Sequence, residues 1–415
     1  MTPDPRSAEA VDPAPGQQEV QQVHGAGVIR EVRPSLPFPP TSAVRTEARA
    51  VQMAGLAVVV SFVAALIAFA GRRPSLSGDH SVGDLAGVVA GAVAVIVLPL
   101  AYRHTFDHPQ HHWLTERPAW RRYLGLLALA VVHGAIAFMA AWAGFRIFQQ
   151  AFGDLTFDPF AGAIETAIVG GLSAYATYQS GARMNSYLLS NLLATYLAAG
   201  VLTSMVTTKN PNWWAINFSA LGAANSGVAW TFNVTLVTGG IVITMLAEYV
   251  TRDIQALGAY RADRLASLPE GGRRRGRRGH REPLGESDVR TGPIFVCLVL
   301  MGLLLAGTGL VPVDVYMPAH NALATSMSGA FVVLVVGLPW WLPGVSRTFQ
   351  VTGFVMLGGA VLAVVLWYPL GYYNMTAMEM FLAGIVLGWL VLLIRNLAAA
   401  VEDARRRALT ELLGG

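Results

Sequence analysis

PIFVCLVLMGLLLAGTGLV, residues 293–311, runs for nineteen residues without one charged side chain. A helix rises about 1.5 Å per residue, so roughly 20 apolar residues cross a hydrocarbon core about 30 Å thick. This stretch therefore predicts a membrane-spanning helix, and nine more runs of the same kind surround it. They cover residues 51–71, 84–102, 123–147, 160–180, 186–207, 229–250, 321–341, 348–368 and 376–397. The run at 160–180 is the most dilute, because Glu165, Tyr175, Tyr178 and Gln179 interrupt it. The expected fold is an all-α polytopic transmembrane bundle of about ten spans.

The composition agrees. Hydrophobic residues make up 54% of the 415 and charged residues only 13%, about half the share of an ordinary soluble domain. The single cysteine, Cys297, lies inside the run quoted above, which leaves no disulfide framework and no cysteine-ligated metal site. Arginine almost completely replaces lysine, Lys209 being the one lysine. With abundant Ala, Gly and Val, this points to a GC-rich bacterial source.

Basic residues are retained on the cytoplasmic side of a membrane. With the N-terminus inside, the inner segments hold Arg45, Arg49, Arg103, Arg117, Arg121, Arg122, Arg183, ten arginines between 252 and 290, Arg347, Arg395 and Arg405–Arg407. The outer segments hold only Arg72, Arg73, Arg146 and Lys209. Both termini are expected in the cytoplasm, and the protein in the plasma (inner) membrane as a multi-pass protein. The weak run at 160–180 has to be a span for this agreement to hold.

The expected organisation is a disordered cytoplasmic tail over 1–45, rich in Pro, Gln and acidic residues and unlike a signal peptide. A four-helix membrane region over 46–182 and a six-helix domain over 183–400 follow, with a basic cytoplasmic loop at 251–292 and a cytoplasmic tail at 401–415. The arginine run 273–278 lacks a folded reader or stacking platform around it, so it is read as setting topology and touching anionic lipid rather than binding nucleic acid. His104, His108, His111 and His112, with Asp107, carry a histidine-rich composition suited to metal, but Pro109 breaks the helix that would align them. They are read as a mobile polar loop; no metal site and no cofactor is expected.

Polar groups within or beside a span are costly and mark candidate sites. The outer segment Asn210 to Asn233 reads NPNWWAINFSALGAANSGVAWTFN, with five asparagines and three tryptophans. Trp213 and Trp214 fit an interfacial belt. Asn217, Asn225 and Asn233 fit that role less well, and Asn233, a turn inside its span, requires a partner facing the bundle. A second polar segment, VPVDVYMPAHNALA at 311–324, brings Asp314, His320 and Asn321 to the same surface, stiffened by Pro312 and Pro318. Glu379 opens the last span at that level. Asn217, Asn225, Asn233, Asp314, His320, Asn321 and Glu379 are the candidate pocket residues. For Asp314 and His320 two readings stand, acid–base function or a hydrogen bond that closes the loop. Gly239, Gly240, Gly358 and Gly359 are candidates for close helix packing.

Three of these motifs resemble a known pattern. The Ser219–Gly222 turn followed by Ala229–Asn233, the Pro312, Asp314, His320, Asn321 arrangement, and Glu379 are similar to the six-helix membrane family of DRAM-type, Sfk-type and FGF-receptor-activating-type proteins and its bacterial relatives of unknown function. The resemblance spans residues 186–400. It implies a six-helix bundle with an extracytoplasmic polar pocket and, through the eukaryotic members, a connection with lipid organisation.

Three functions are compatible with these features. The first is a lipid-associated binding or envelope-organising protein, with membrane lipids, envelope proteins or further copies of the chain as partners. The second is a secondary transporter or exporter of a small solute, although no repeat relates the two halves and the polar groups gather at one edge. The third is a membrane-embedded lipid-modifying enzyme, although no GxSxG nucleophile elbow is present.

Overall fold

The computed structural model describes residues 41–106, 118–153, 155–223, 229–267, 289–343 and 345–414. The His108, His111, His112 and Asp107 segment, the arginine run at 273–278, the tail before residue 41 and Asn225 lie outside these.

Ten helices account for the described chain: α1 Thr41–Ala68, α2 Val82–Phe106, α3 Ala119–Phe152, α4 Pro159–Ala182, α5 Ser186–Thr207, α6 Ala229–Ser267, α7 Thr291–Leu310, α8 Met317–Trp341, α9 Arg347–Trp367 and α10 Met375–Gly414. Nine of them are long and apolar enough to cross a membrane. The protein is an all-α, multi-pass membrane bundle. Its outer face carries Val59, Ile67, Ile96, Leu303, Val355 and Leu362 exposed, a surface that water would not tolerate and acyl chains do.

The tenth helix, α4, fails on hydropathy for a packing reason. Its buried face is built from Gly162, Ala163, Thr166, Ala167, Gly170, Gly171, Ser173 and Ala174, small residues that let neighbouring helices approach. It touches α1 and α2 from end to end. A Cβ on Gly162 would lie 3.2 Å from the Phe69 ring, one on Gly181 would lie 2.9 Å from Ala101, and the Ser173 hydroxyl donates to the Ala90 carbonyl at 2.7 Å. Tyr175 and Gln179, two of the residues that dilute the run, both donate to the Glu47 carboxylate on α1. Asp158 caps the start of α4 by accepting from Phe160 and Ala161, which satisfies amides that would otherwise be orphaned. A helix lying along two spans over their whole length is itself a span.

Consecutive helices alternate in direction. At one end the α1–α2 and α3–α4 connections meet through the Ser75–Thr156 bridge and the Phe157 N–H donating to Pro74 O. At the other end Ser186 of α5 donates to Asp253 of α6, Arg121 of α3 lies 3.6 Å from Glu248 of α6, and Arg395 of α10 donates to Tyr187 of α5 at 2.7 Å. Residues 45–415 form one unit. Within it α3 packs on α2 and also on α5 and α6. The largest buried cluster draws Leu98 and Leu129 from α2 and α3 together with Leu193, Leu246, Leu298, Leu334 and Trp389.

Two helices run further than the apolar pattern. α6 continues past residue 250 to Ser267 and α10 past 397 to Gly414, because Ala, Leu, Arg and Glu are strong helix formers and Glu402 pairs with Arg406 at 2.7 Å. Residues 251–267 and 401–414, expected as loop and tail, are thus helical. Of the expected packing glycines, Gly240 meets α7 and Gly239 meets Leu197, whereas Gly358 has nothing within 4 Å and Gly359 only Ile385 at 3.8 Å.

Candidate functional site

The α5–α6 connection carries two short 3₁₀ turns, Trp213–Ala215 and Phe218–Gly222. A turn of this kind satisfies few of its own backbone groups, so partners have to come from elsewhere. Here they come from three helices. Glu379 on α10 accepts from the Phe218 N–H at 2.5 Å. His320 on α8 holds the Ser219 hydroxyl at 2.9 Å through Nε2. Asn233 on α6 donates to the Gly222 carbonyl at 2.9 Å, which is the partner its depth in the span demands. Asn374, just before α10, adds a bond to the Trp214 carbonyl at 2.7 Å and caps α10 by accepting from Ala377. The rings of Phe218 and Phe232 meet edge to face at 5.4 Å.

Gly222 is pressed into this junction. A Cβ there would sit 2.9 Å from the Phe232 ring and closer still to the Asn233 amide oxygen. Glycine is required by proximity rather than by its backbone angle.

His320 is 3% exposed, and its second nitrogen, Nδ1, lies 2.7 Å from the Val311 carbonyl. A carbonyl only accepts, so Nδ1 carries a proton, and in the neutral ring Nε2 then presents a lone pair to Ser219. That is the arrangement of a general base beside a hydroxyl nucleophile. It also occurs at His133, whose Nδ1 is 2.8 Å from Leu129 O and Nε2 2.8 Å from Ser180 Oγ. The difference is location. His133 and Ser180 bond across two spans, whereas Ser219 stands on a connection between helices.

Of the expected pocket residues, Asn217, Asn233, His320 and Glu379 converge on the 217–222 turn. Asp314 and Asn321 are exposed, and both ring nitrogens of His320 bond to groups other than Asp314. The acid–histidine pair expected from their six-residue separation is therefore replaced by a serine–histidine pair. The backbone turns at Pro312, where the N–H groups of Val315 and Tyr316 both reach the Pro312 carbonyl. This directs His320 inward beneath Val311. Ser219 was marked only as the first residue of the Ser219–Gly222 turn in an unusual polar connection and not as a pocket residue, and Asn374 and Thr376 had no distinguishing signal.

Two polar atoms of this region, Asn217 Oδ1 and Thr376 Oγ1, are buried without a hydrogen-bond partner among the described residues. They belong to the two segments that the Glu379–Phe218 and Asn374–Trp214 bonds draw together. No group of three His, Cys, Asp or Glu side chains able to hold a metal occurs among the described residues.

No family model matches the chain, and no curated protein or solved structure matches it either; what defines it is its own geometry, a membrane bundle of ten helices among the described residues, three of them bonded to one polar turn.

Proposed function

We propose that the protein binds a membrane-lipid head group at the end of the bundle bearing the 217–222 turn, and that this end faces outward from a bacterial inner membrane. The arginine distribution supports that orientation, and the family resemblance of residues 186–400 supports a role in lipid organisation. The observation that carries the reading is the pair of buried oxygens without a hydrogen-bond partner among the described residues, Asn217 Oδ1 and Thr376 Oγ1. Leaving such a group unsatisfied costs about 1–3 kcal/mol, and an ammonium or hydroxyl of a head group supplies the missing donor. The test replaces each by an apolar residue of similar shape, Asn217→Leu and Thr376→Val. Folding is expected to survive, since the unsatisfied atoms are removed, while lipid retained through purification and read by native mass spectrometry falls about tenfold, the equivalent of roughly 1.4 kcal/mol. Unchanged retention in both variants would overturn the reading.

The serine–histidine geometry favours a second reading, a membrane-embedded lipid-modifying enzyme. The Ser219 oxygen attacks a lipid ester carbonyl carbon and its proton passes to His320 Nε2. The same proton then leaves with the lysolipid oxygen as the ester C–O bond breaks. Water, deprotonated by the same nitrogen, releases the acyl group as a fatty acid and restores the serine. A fluorophosphonate probe is expected to label the wild type and to spare Ser219→Ala. Failure to label folded wild-type protein rules this reading out and leaves the binding reading standing.

A further inference from the structure

At the opposite end of the bundle, where α10 runs on beyond the membrane-spanning length, a cavity of about 450 Å³ opens between the C-terminal half of α6, the α8–α9 connection and α10. Its floor is Leu257, Leu342, Phe349, Leu393 and Leu397, all buried. Its rim is Ser346, Asn396, Asp403 and Arg407. The size is that of a site for a small molecule or part of a lipid, and the floor is apolar, as acyl chains require.

The rim has an unusual feature. On α10, Glu402 and Arg406 stand four residues apart and close into an ion pair at 2.7 Å. Asp403 and Arg407, the same arrangement one residue on, face the cavity and form no hydrogen bond or ion pair with each other among the described residues, Asp403 being felt electrostatically by the neighbouring Arg406. Residues four apart on a helix have Cβ atoms about 5–6 Å from one another, so an acid and a base stand side by side, and where they have not closed on each other a bridging group fits between them. Asn396 donates its amide N–H to the Leu392 carbonyl at 2.9 Å, which leaves its amide oxygen as a further acceptor. Ser346 accepts from the Phe349 N–H at 3.2 Å, which leaves its hydroxyl proton to donate. The rim therefore offers acceptors at Asp403 and Asn396, donors at Arg407 and Ser346, and no net charge.

We propose that this cavity is a binding site for a zwitterionic aminophospholipid of the phosphatidylethanolamine class, its phosphate at Arg407 and Ser346, its ammonium at Asp403 and Asn396, and its acyl chains over the leucine and phenylalanine floor. A purely anionic lipid would place its charge against Asp403. A choline head group has the positive charge but no N–H to donate. A soluble zwitterion would have no use for the floor.

The test uses the full chain in detergent with added phosphatidylethanolamine, phosphatidylglycerol, phosphatidylcholine or soluble phosphoethanolamine, read by lipid retention in native mass spectrometry and by the shift in melting temperature. Phosphatidylethanolamine is expected to be retained preferentially and to raise the melting temperature. Asp403→Asn and Arg407→Gln are each expected to lower its retention about tenfold, with lipid-free melting unchanged because both side chains are exposed. Equal retention of all three lipids, or wild-type retention in both variants, overturns the proposal. Stabilisation by soluble phosphoethanolamine equal to that by the lipid overturns it in favour of a soluble ligand. Asn217→Leu, at the other end of the bundle, is expected to leave this selectivity intact, so the two sites stand or fall separately.

Discussion

A valine placed at Gly240 is expected to abolish recoverable folded protein. α6 and α7 touch through their backbones at this point. A Cβ on Gly240 would lie 2.6 Å from the Ala306 nitrogen and nearer still to the Gly302 carbonyl, and a Cβ on Gly302 would lie 2.5 Å from the Gly240 carbonyl and 2.9 Å from the Thr244 nitrogen. The atoms in the way are backbone atoms, which cannot rotate aside as a side chain would. The helices must separate, and separation loses packing along the interface that also places Gly309 against the Asn233 carbonyl. Overpacking a well-filled interface costs about 1–3 kcal/mol for added methylenes alone, and an obstructed backbone contact exceeds that. Size-exclusion profiles and thermal melts of Gly240→Val and Gly302→Val would measure the loss. Gly358→Ala is the reference substitution, since nothing lies within 4 Å of that position. It is expected to leave stability unchanged or raise it by about 0.5–1 kcal/mol through helix propensity. Wild-type melting of Gly240→Val would show that the two helices do not meet here.

The second large effect is expected at His320. Replacing it by alanine leaves the Val311 carbonyl without its side-chain donor, releases the Ser219 hydroxyl, and empties the space of a side chain that is 3% exposed. An unsatisfied buried group costs about 1–3 kcal/mol and the vacated volume adds to it, so a fall of several degrees in melting temperature is expected. The local consequence can be read separately. Lys209 is the single lysine of the chain and lies in the connection whose second turn His320 holds. A lysine-specific protease therefore has one cleavage site, and its rate reports how firmly that connection is fastened. Cleavage is expected to accelerate about tenfold in His320→Ala and less in His320→Asn, whose amide can still donate to Val311 O. Equal cleavage in wild type and His320→Ala would remove His320 from the list of residues that hold the turn.

These expectations rest on contacts that the linear chain only partly discloses. Asn233 illustrates the legible part. An amide one turn inside an apolar run has to be bonded, whatever the fold, and it is bonded to Gly222 only eleven residues away. Asp314 illustrates the rest. Its proximity to His320 along the chain made the two a natural pair, yet Pro312 turns the backbone so that the histidine points inward to a serine 101 residues distant. Glu379 was visible as a carboxylate at the start of a span, but its partner, an amide 161 residues away, was not.

What the sequence alone determined is the segmentation into helices and the end of the bundle at which the amides, acids and histidine gather. Transfer from water to hydrocarbon is a property of each residue and its near neighbours, so it can be read from a window along the chain. Two things were left to the tertiary structure. One is how α4, a span that the arginine distribution already requires, is held in the bundle despite its dilute run, because a helix built of glycine, alanine, serine and threonine is kept in place by what it packs against rather than by its own hydropathy. The other is the identity of bonded partners, Ser219 with His320, Glu379 with Phe218, and the open pair of Asp403 and Arg407 over an apolar floor. A hydrogen bond tolerates only a few tenths of an ångström in distance. Whether two polar groups on different helices fall within that tolerance depends on how far each helix is shifted and rotated against the next, and only the packed core sets those quantities.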